Sequence, residues 1–219
     1  MKLCLILPLA FALAACSASP KTFQQQPPDD ADSGATLPDP CAGGYPTGSY
    51  GTSAGKVVNP GLGWQGYAAN ETSPSTIHPA DLYDCDGSKG INALVFDVSA
   101  VWCAACQAQA ADTAQITGQY DALGIRVVTL MVQDASQAPA TVQTALQWRQ
   151  QYKLNDVAVC ADPGFAFAPL GQSSVDLPVT VVVDPRTMII QSVSYGYMAH
   201  YPLAPDGEAV TIAKKNGAP

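Results

Sequence analysis

Between residues 91 and 195 of this 219-residue chain, short apolar runs alternate with stretches of helix-forming residues, and that alternation limits the fold more than any other feature. Ile91-Asn92-Ala93-Leu94-Val95-Phe96-Asp97-Val98 is almost continuously apolar, as a strand buried on both faces of a sheet must be. The Ala- and Gln-rich segment from Cys103 to Leu123 has high helix propensity and ends before Gly124, the residue type favoured just past a helix. Ile125 to Val132 predicts a second strand. Thr141 to Tyr152 places Val142, Ala145, Leu146 and Arg149 at helical spacing, after Ser136 and Pro139 as start signals. Val157 to Cys160 predicts a short strand, and Pro163 to Leu170 a short helix or turn closed by Gly171. Val179 to Val183 and Met188 to Tyr195 flank Asp184-Pro185-Arg186-Thr187, whose proline suits the second position of a type I turn, so the two runs form a hairpin. A short helix is expected after Asp206. The order β-α-β-α-β-(α)-β-β implies an α/β protein with helices on both faces of a central sheet.

Trp102-Cys103-Ala104-Ala105-Cys106 falls where the first strand hands over to the first long helix. A cysteine at a helix N-terminus meets unpaired N–H groups and the positive end of the macrodipole, which can lower a thiol from about 8.5 to between roughly 3.5 and 7.5. Cys103 is therefore the expected nucleophile. Cys106, one turn along, can attack a mixed disulfide formed on Cys103 and release the product, so it is the expected resolving thiol.

The segment Phe96-Asp97-Val98-Ser99-Ala100-Val101-Trp102-Cys103-Ala104-Ala105-Cys106, with the later Leu177-Pro178-Val179-Thr180, resembles the thioredoxin superfamily. Within it the likeness is to the redoxin or TlpA/ResA-like extracytoplasmic thiol–disulfide oxidoreductases, over about Pro60 to the C-terminus. The resemblance implies a thioredoxin-like fold, a mixed central β-sheet flanked by helices, with Thr141 to Cys160 as the redoxin-type insertion. Pro178 matches the family's cis-proline, whose loop packs against the CxxC and leaves the backbone of Leu177 free to pair with an extended substrate segment. Asp97 matches the family's buried strand aspartate. Burial should raise its pKa and suit it to accept a proton from Cys106. Trp102 would shield one side of the disulfide, which makes Trp102, Leu177 and Pro178 the expected substrate-binding residues. Ala104-Ala105 departs from the family's common Gly-Pro or Pro-Pro, and no His or Lys lies between the cysteines. A midpoint nearer thioredoxin's, about −270 mV, than DsbA's, about −120 mV, is expected, and with it a reducing role.

Other uses of a CxxC fit less well. Haem attachment needs a His after the second cysteine, where Gln107 stands. Zinc needs further ligands, and Cys41, Cys85, Cys160, His78 and His200 form no second CxxC, so neither metal nor cofactor is expected. A peroxiredoxin-type peroxidase would carry a hydroxyl residue where Ala100 stands. A non-catalytic, surface-anchored binding module, with Cys103 and Cys106 as a structural clip, is the non-enzymatic alternative. Gly61-Leu62-Gly63-Trp64-Gln65-Gly66 matches GxGxxG, but lacks the preceding long strand and following helix of a dinucleotide site. Three pairings of Cys41, Cys85 and Cys160 are formally available. Cys160 ends a strand parallel to the first and so lies at the Cys103 rim of the sheet, whereas Cys85 precedes that strand. Cys41–Cys85 is thus the preferred structural bridge, and Cys160 reads as a buried small apolar residue.

The amino terminus reads as an address. Leu3 to Ala15 is too short to span a bilayer and ends Leu13-Ala14-Ala15-Cys16, which resembles the bacterial lipobox. Residues 1–15 are read as a lipoprotein signal peptide, with Cys16 lipidated. Residues 16–40, rich in Pro, Asp and Gln, read as a tether, residues 41–66 as a Gly-rich ordered wrap, and residues 67–219 as the thioredoxin-like domain. The expected location is the cell envelope, at the periplasmic side of the outer membrane where two membranes exist, and the expected partners are protein thiols and disulfides and an upstream membrane redox protein. With 18 Asp and Glu against 10 Lys and Arg, phosphate backbones are repelled and nucleic acid is not expected.

Overall fold

The computed structural model describes residues 39–167 and 176–219. The expected signal peptide, Cys16 and most of the tether lie outside the described residues, as does Gly171. No helix among the described residues is long and apolar enough to cross a membrane.

Among the described residues eleven elements follow one another: β1 (Trp64–Tyr67), β2 (Ser75–Ile77), α1 (Pro79–Leu82), β3 (Ala93–Ala100), α2 (Ala104–Asp121), β4 (Ile125–Gln133), α3 (Val142–Tyr152), β5 (Ala158–Ala161), β6 (Val179–Asp184), β7 (Ile189–Tyr195) and α4 (Glu208–Lys215). The strands form one mixed sheet in the order β2-β1-β5-β4-β3-β6-β7. β3, β4 and β5 are parallel, β6 runs antiparallel to β3, and β7 is antiparallel to β6. All eight residues of β3 are buried, which accounts for the apolar run in the sequence. Burial continues through the whole of β5 and β6.

Side chains alternate across the sheet, so Phe96 and Asp97 face opposite sides. Phe96 packs on Phe167 and Trp64, with ring centroids 4.6 and 5.8 Å away. Asp97 faces α2, where Gln109 reaches it. The buried stripe of α2 is Cys106, Gln109, Ala110, Thr113 and Thr117, which keeps helical spacing but is unusually polar. α3 begins at Thr141, whose hydroxyl accepts the Thr144 N–H, and ends where Lys153 turns left-handed at φ 58°. It packs on β1, β4 and β5, while α4 packs on β3, β4 and β6.

One part of the sheet differs from the sequence expectation. β1 pairs antiparallel with β5, Gln65 opposite Ala161, so the Gly-rich stretch 41–66 ends inside a strand, and its residues belong to the same compact unit as the rest of the sheet. Gly66 is required there, because a Cβ would sit 2.3 Å from the Val159 carbonyl oxygen. Residues 163–167 form turns, one of the two forms expected for that stretch.

At the rim where β3 begins, Arg186 fastens several segments. Its guanidinium donates to the carbonyls of Asp84, Ile91 and Asn216 and to Asn92 Oδ1, and pairs with the buried Asp84 carboxylate at 3.1 Å. Cys41 and Cys85 are joined in a disulfide, with Cα atoms 5.4 Å apart. The Cys41 and Cys85 sulfurs and an Asp86 carboxylate oxygen lie within 4.8 Å of one another, but with both sulfurs bonded the cluster offers no thiolate to a metal.

Candidate active site

The far rim of β3 leads through Val101 and Trp102 into α2, and Cys103 is the residue that caps the helix. Its backbone is extended, at φ −83° and ψ 111°, and its Sγ accepts the Cys106 N–H at 3.2 Å. The sulfur takes the place that a Ser or Asp oxygen usually fills, and the positive end of an 18-residue helix faces it. Across the gap the Leu177 carbonyl oxygen lies 3.6 Å from the same sulfur, and the Leu177–Pro178 peptide bond is cis. Cys103 thus has a partner in each protonation state. The thiol donates to Leu177, whereas the thiolate accepts from the Cys106 amide.

Cys103 is only 6% exposed and Cys106 is fully buried. Burial pushes the Cys106 thiol far above its ordinary range, with the Cys103 hydrogen bond and the nearby Asp97 charge adding to the rise. Such a thiol needs a base before it can act as a nucleophile.

Asp97 occupies that neighbourhood, 3% exposed. Its Oδ1 accepts from Ser99 Oγ at 2.9 Å and from Gln109 Nε2 at 2.8 Å, and its Oδ2 from Thr129 Oγ1 at 3.4 Å. Burial raises the carboxyl to about 7, while these three hydrogen bonds pull it down. Ser99, Gln109, Thr129 and, behind Gln109, Thr180 were absent from the sequence-derived site. The available signal was polarity out of place: Ser99, Thr129 and Thr180 interrupt the valine- and leucine-rich parts of their strands.

The raised carboxyl has a stability consequence of definite sign. Between about pH 4 and pH 7 the folded protein holds a proton that the unfolded chain has released, so stability falls as pH rises through that window and is level above it. Asp97→Asn, neutral at every pH, should therefore match the wild type near pH 4 and exceed it by on the order of 4 kcal/mol at pH 8, read from urea unfolding. A stability gap that does not change with pH would contradict the assignment.

Trp102 is 44% exposed, and its indole N–H donates to Gln133 Oε1 at 3.0 Å. Gln133 in turn donates to the Gln137 carbonyl at 3.0 Å, so the ring beside the CxxC is held from the end of β4. Cys160 lies in β5 opposite Leu130, wholly buried, with its thiol pushed up to about 12 by burial. It fills space beneath Gly66, where a Cβ would approach its sulfur to 2.8 Å. His78 Nδ1 lies 2.8 Å from the Leu62 carbonyl oxygen, and His200 Nδ1 lies 2.8 Å from Asp112 Oδ1, clasping a loop to α2.

A sheet of this order, with a CxxC capping the helix after its central strand and a cis-proline opposite, defines a thioredoxin-like fold. No family model matches the chain, and no curated protein matches it. Among solved structures, the reduced 2-Cys peroxiredoxin of Plasmodium vivax superimposes with a TM-score of 0.51 at 13% identity, over 75% of this chain and 80% of that one. A secreted thiol-disulfide isomerase from Corynebacterium glutamicum gives a TM-score of 0.49 at 18% identity, over 77% of this chain and 98% of that one. A thioredoxin-family thiol:disulfide interchange protein from Chlorobium tepidum gives 0.46 at 16% identity, over 70% and 91%. At such identities the likeness is one of fold.

Proposed function

We propose that the chain is a thiol–disulfide oxidoreductase that reduces disulfides in extracytoplasmic proteins, held at the membrane by a lipid on Cys16. The observation that carries the reading is the placement of Cys103 Sγ between the Cys106 amide and the Leu177 carbonyl, beside a cis-proline. In the forward reaction the Cys103 thiolate attacks one sulfur of a substrate disulfide, forming a mixed disulfide and expelling the other sulfur as a thiolate, which takes up a proton. Asp97 then accepts the Cys106 proton. The Cys106 thiolate attacks Cys103 Sγ, closing the Cys103–Cys106 disulfide and releasing the second substrate thiol. Two electrons pass to the substrate, and an upstream membrane redox partner would return them.

Leu177 and Pro178 offer backbone to an extended substrate segment, and Trp102 offers an exposed aromatic face. The tether between Cys16 and the folded unit gives that face reach away from the membrane surface.

The full chain should accelerate insulin reduction by dithiothreitol, and equilibration with glutathione should give a midpoint nearer about −270 mV than about −120 mV. No acceleration would leave the Cys103–Cys106 pair as a structural clip. A midpoint near −120 mV would instead make the protein an oxidant.

A further inference from the structure

Asp97 sits among neutral groups. From its own strand Ser99 reaches it, from β4 Thr129, and from α2 Gln109, while Cys106 and Cys103 are the titratable groups close by on the α2 side. No lysine, arginine or histidine contributes to its environment among the described residues. A buried carboxylate without a cation depends on hydrogen-bond donors to hold its charge. Two of the three donors are hydroxyls, which can rotate and accept as readily as they donate, so they suit either form of the carboxyl. The third, the Gln109 amide, is different.

Gln109 is only 6% exposed on the inner stripe of α2, one and a half turns beyond Cys103, and its Nε2 donates both to Asp97 Oδ1 at 2.8 Å and to Thr180 Oγ1 at 3.1 Å. A carboxylate only accepts, so the nitrogen end of the amide must face it while it is ionised. Thr180, two residues past Pro178 on β6, gives that nitrogen its second acceptor and keeps both its hydrogens occupied. The amide is thereby fixed in the orientation that suits a charged Asp97. Burying a glutamine side chain is costly unless its hydrogen bonds are made, and these two contacts supply the reason for it to be there.

We propose that Gln109 is a positioning residue for the proton acceptor, its amide anchored on Thr180 so that Asp97 is held ionised and ready to take the Cys106 proton. The inference rests on the oxidoreductase reading above. The step it serves is the transfer of the proton from Cys106 Sγ to Asp97, after which the Cys106 thiolate displaces the substrate sulfur from Cys103. The hydrogen bonds of the Gln109 amide go to Asp97 and Thr180, so it acts on the acceptor, affecting resolution and leaving the first attack alone.

The test uses the reduced full chain with Ellman's reagent, which reports both steps. The first thionitrobenzoate leaves when Cys103 attacks, and the second when Cys106 resolves the mixed disulfide. Gln109→Met keeps the length of the side chain and removes both donors. The pH midpoint of the second release should rise by about one unit, a tenfold change in proton affinity, leaving that release about fivefold slower at pH 7 and restored above pH 9. The first release should stay within about twofold. Carbon-13 NMR titration of the Asp97 carboxyl should show the same upward shift without reference to any substrate. Thr180→Val, which removes only the anchor, should move the midpoint in the same direction by less, and serves if Gln109→Met does not fold. In an Asp97→Asn background, Gln109→Met should have no further effect on the second release. An unmoved Asp97 titration, or a slowing of the second release that is uniform across pH, would overturn the proposal. If the wild type itself never makes the second release, it is the oxidoreductase reading that fails.

Discussion

Replacing Cys106 by Ser is expected to turn the full chain into a trap that retains its substrate as a mixed disulfide on Cys103. The hydrogen bond that Cys103 Sγ receives comes from the backbone N–H of residue 106, so the substitution leaves it in place and spares the first attack. A serine hydroxyl cannot displace sulfur under these conditions, so the intermediate stays. With reduced protein and an excess of a disulfide-containing polypeptide, close to one adduct per chain should appear on non-reducing electrophoresis and vanish with dithiothreitol. Cys103→Ser should instead form no adduct and lose insulin reductase activity by at least about a thousandfold, since a fully buried Cys106 cannot reach an external disulfide. Retained turnover in Cys103→Ser, or an adduct that survives removal of Cys103, would assign the chemistry elsewhere.

The second large effect belongs to the other pair of cysteines. The Cys41–Cys85 bridge closes a loop between residues 44 apart in sequence, and the chain-entropy relation gives it about 4 kcal/mol of stabilisation, acting through the unfolded state. The double substitution Cys41→Ser/Cys85→Ser should therefore lower the melting temperature by about 10 °C for a folded unit of this size. Wild type treated with reductant should fall to the same value. Equal melting of oxidised and reduced protein would mean that the loop holds its shape without the bridge.

How much of this could be read from the sequence depended on where each partner lay along the chain. β3, α2 and β4 follow one another, and their signals are local: an apolar run, an Ala-rich segment, and Gly124 after it at φ 70°. β1 gave no such signal. Trp64-Gln65-Gly66-Tyr67 sits among glycines, and it is a strand because β2 and β5 lie on either side of it, with Thr76 and Ala161 both opposite Gln65. The same held at the site. The CxxC spacing marks Cys103 and Cys106 directly, but the contact between Gln109 and Thr180 joins residues 71 apart, and nothing near Gln109 announces it. A buried glutamine on a helix stripe, and a threonine within a valine-rich strand, make sense only once the fold brings them together.

The bridge between Cys41 and Cys85 also bears on the order in which the chain folds. Along the described residues the cysteines come as Cys41, Cys85, Cys103, Cys106 and Cys160, and the bridge joins the first to the next. Both of its members precede β3, so in the exported chain proposed above, crossing amino terminus first, they would reach the oxidising side before any central strand. When Cys85 arrives there, Cys41 is its nearest available partner, and the reactive pair has not yet crossed. A linkage between consecutive cysteines can therefore close as the polypeptide emerges, with no later reshuffling, and it leaves Cys103 and Cys106 to meet each other.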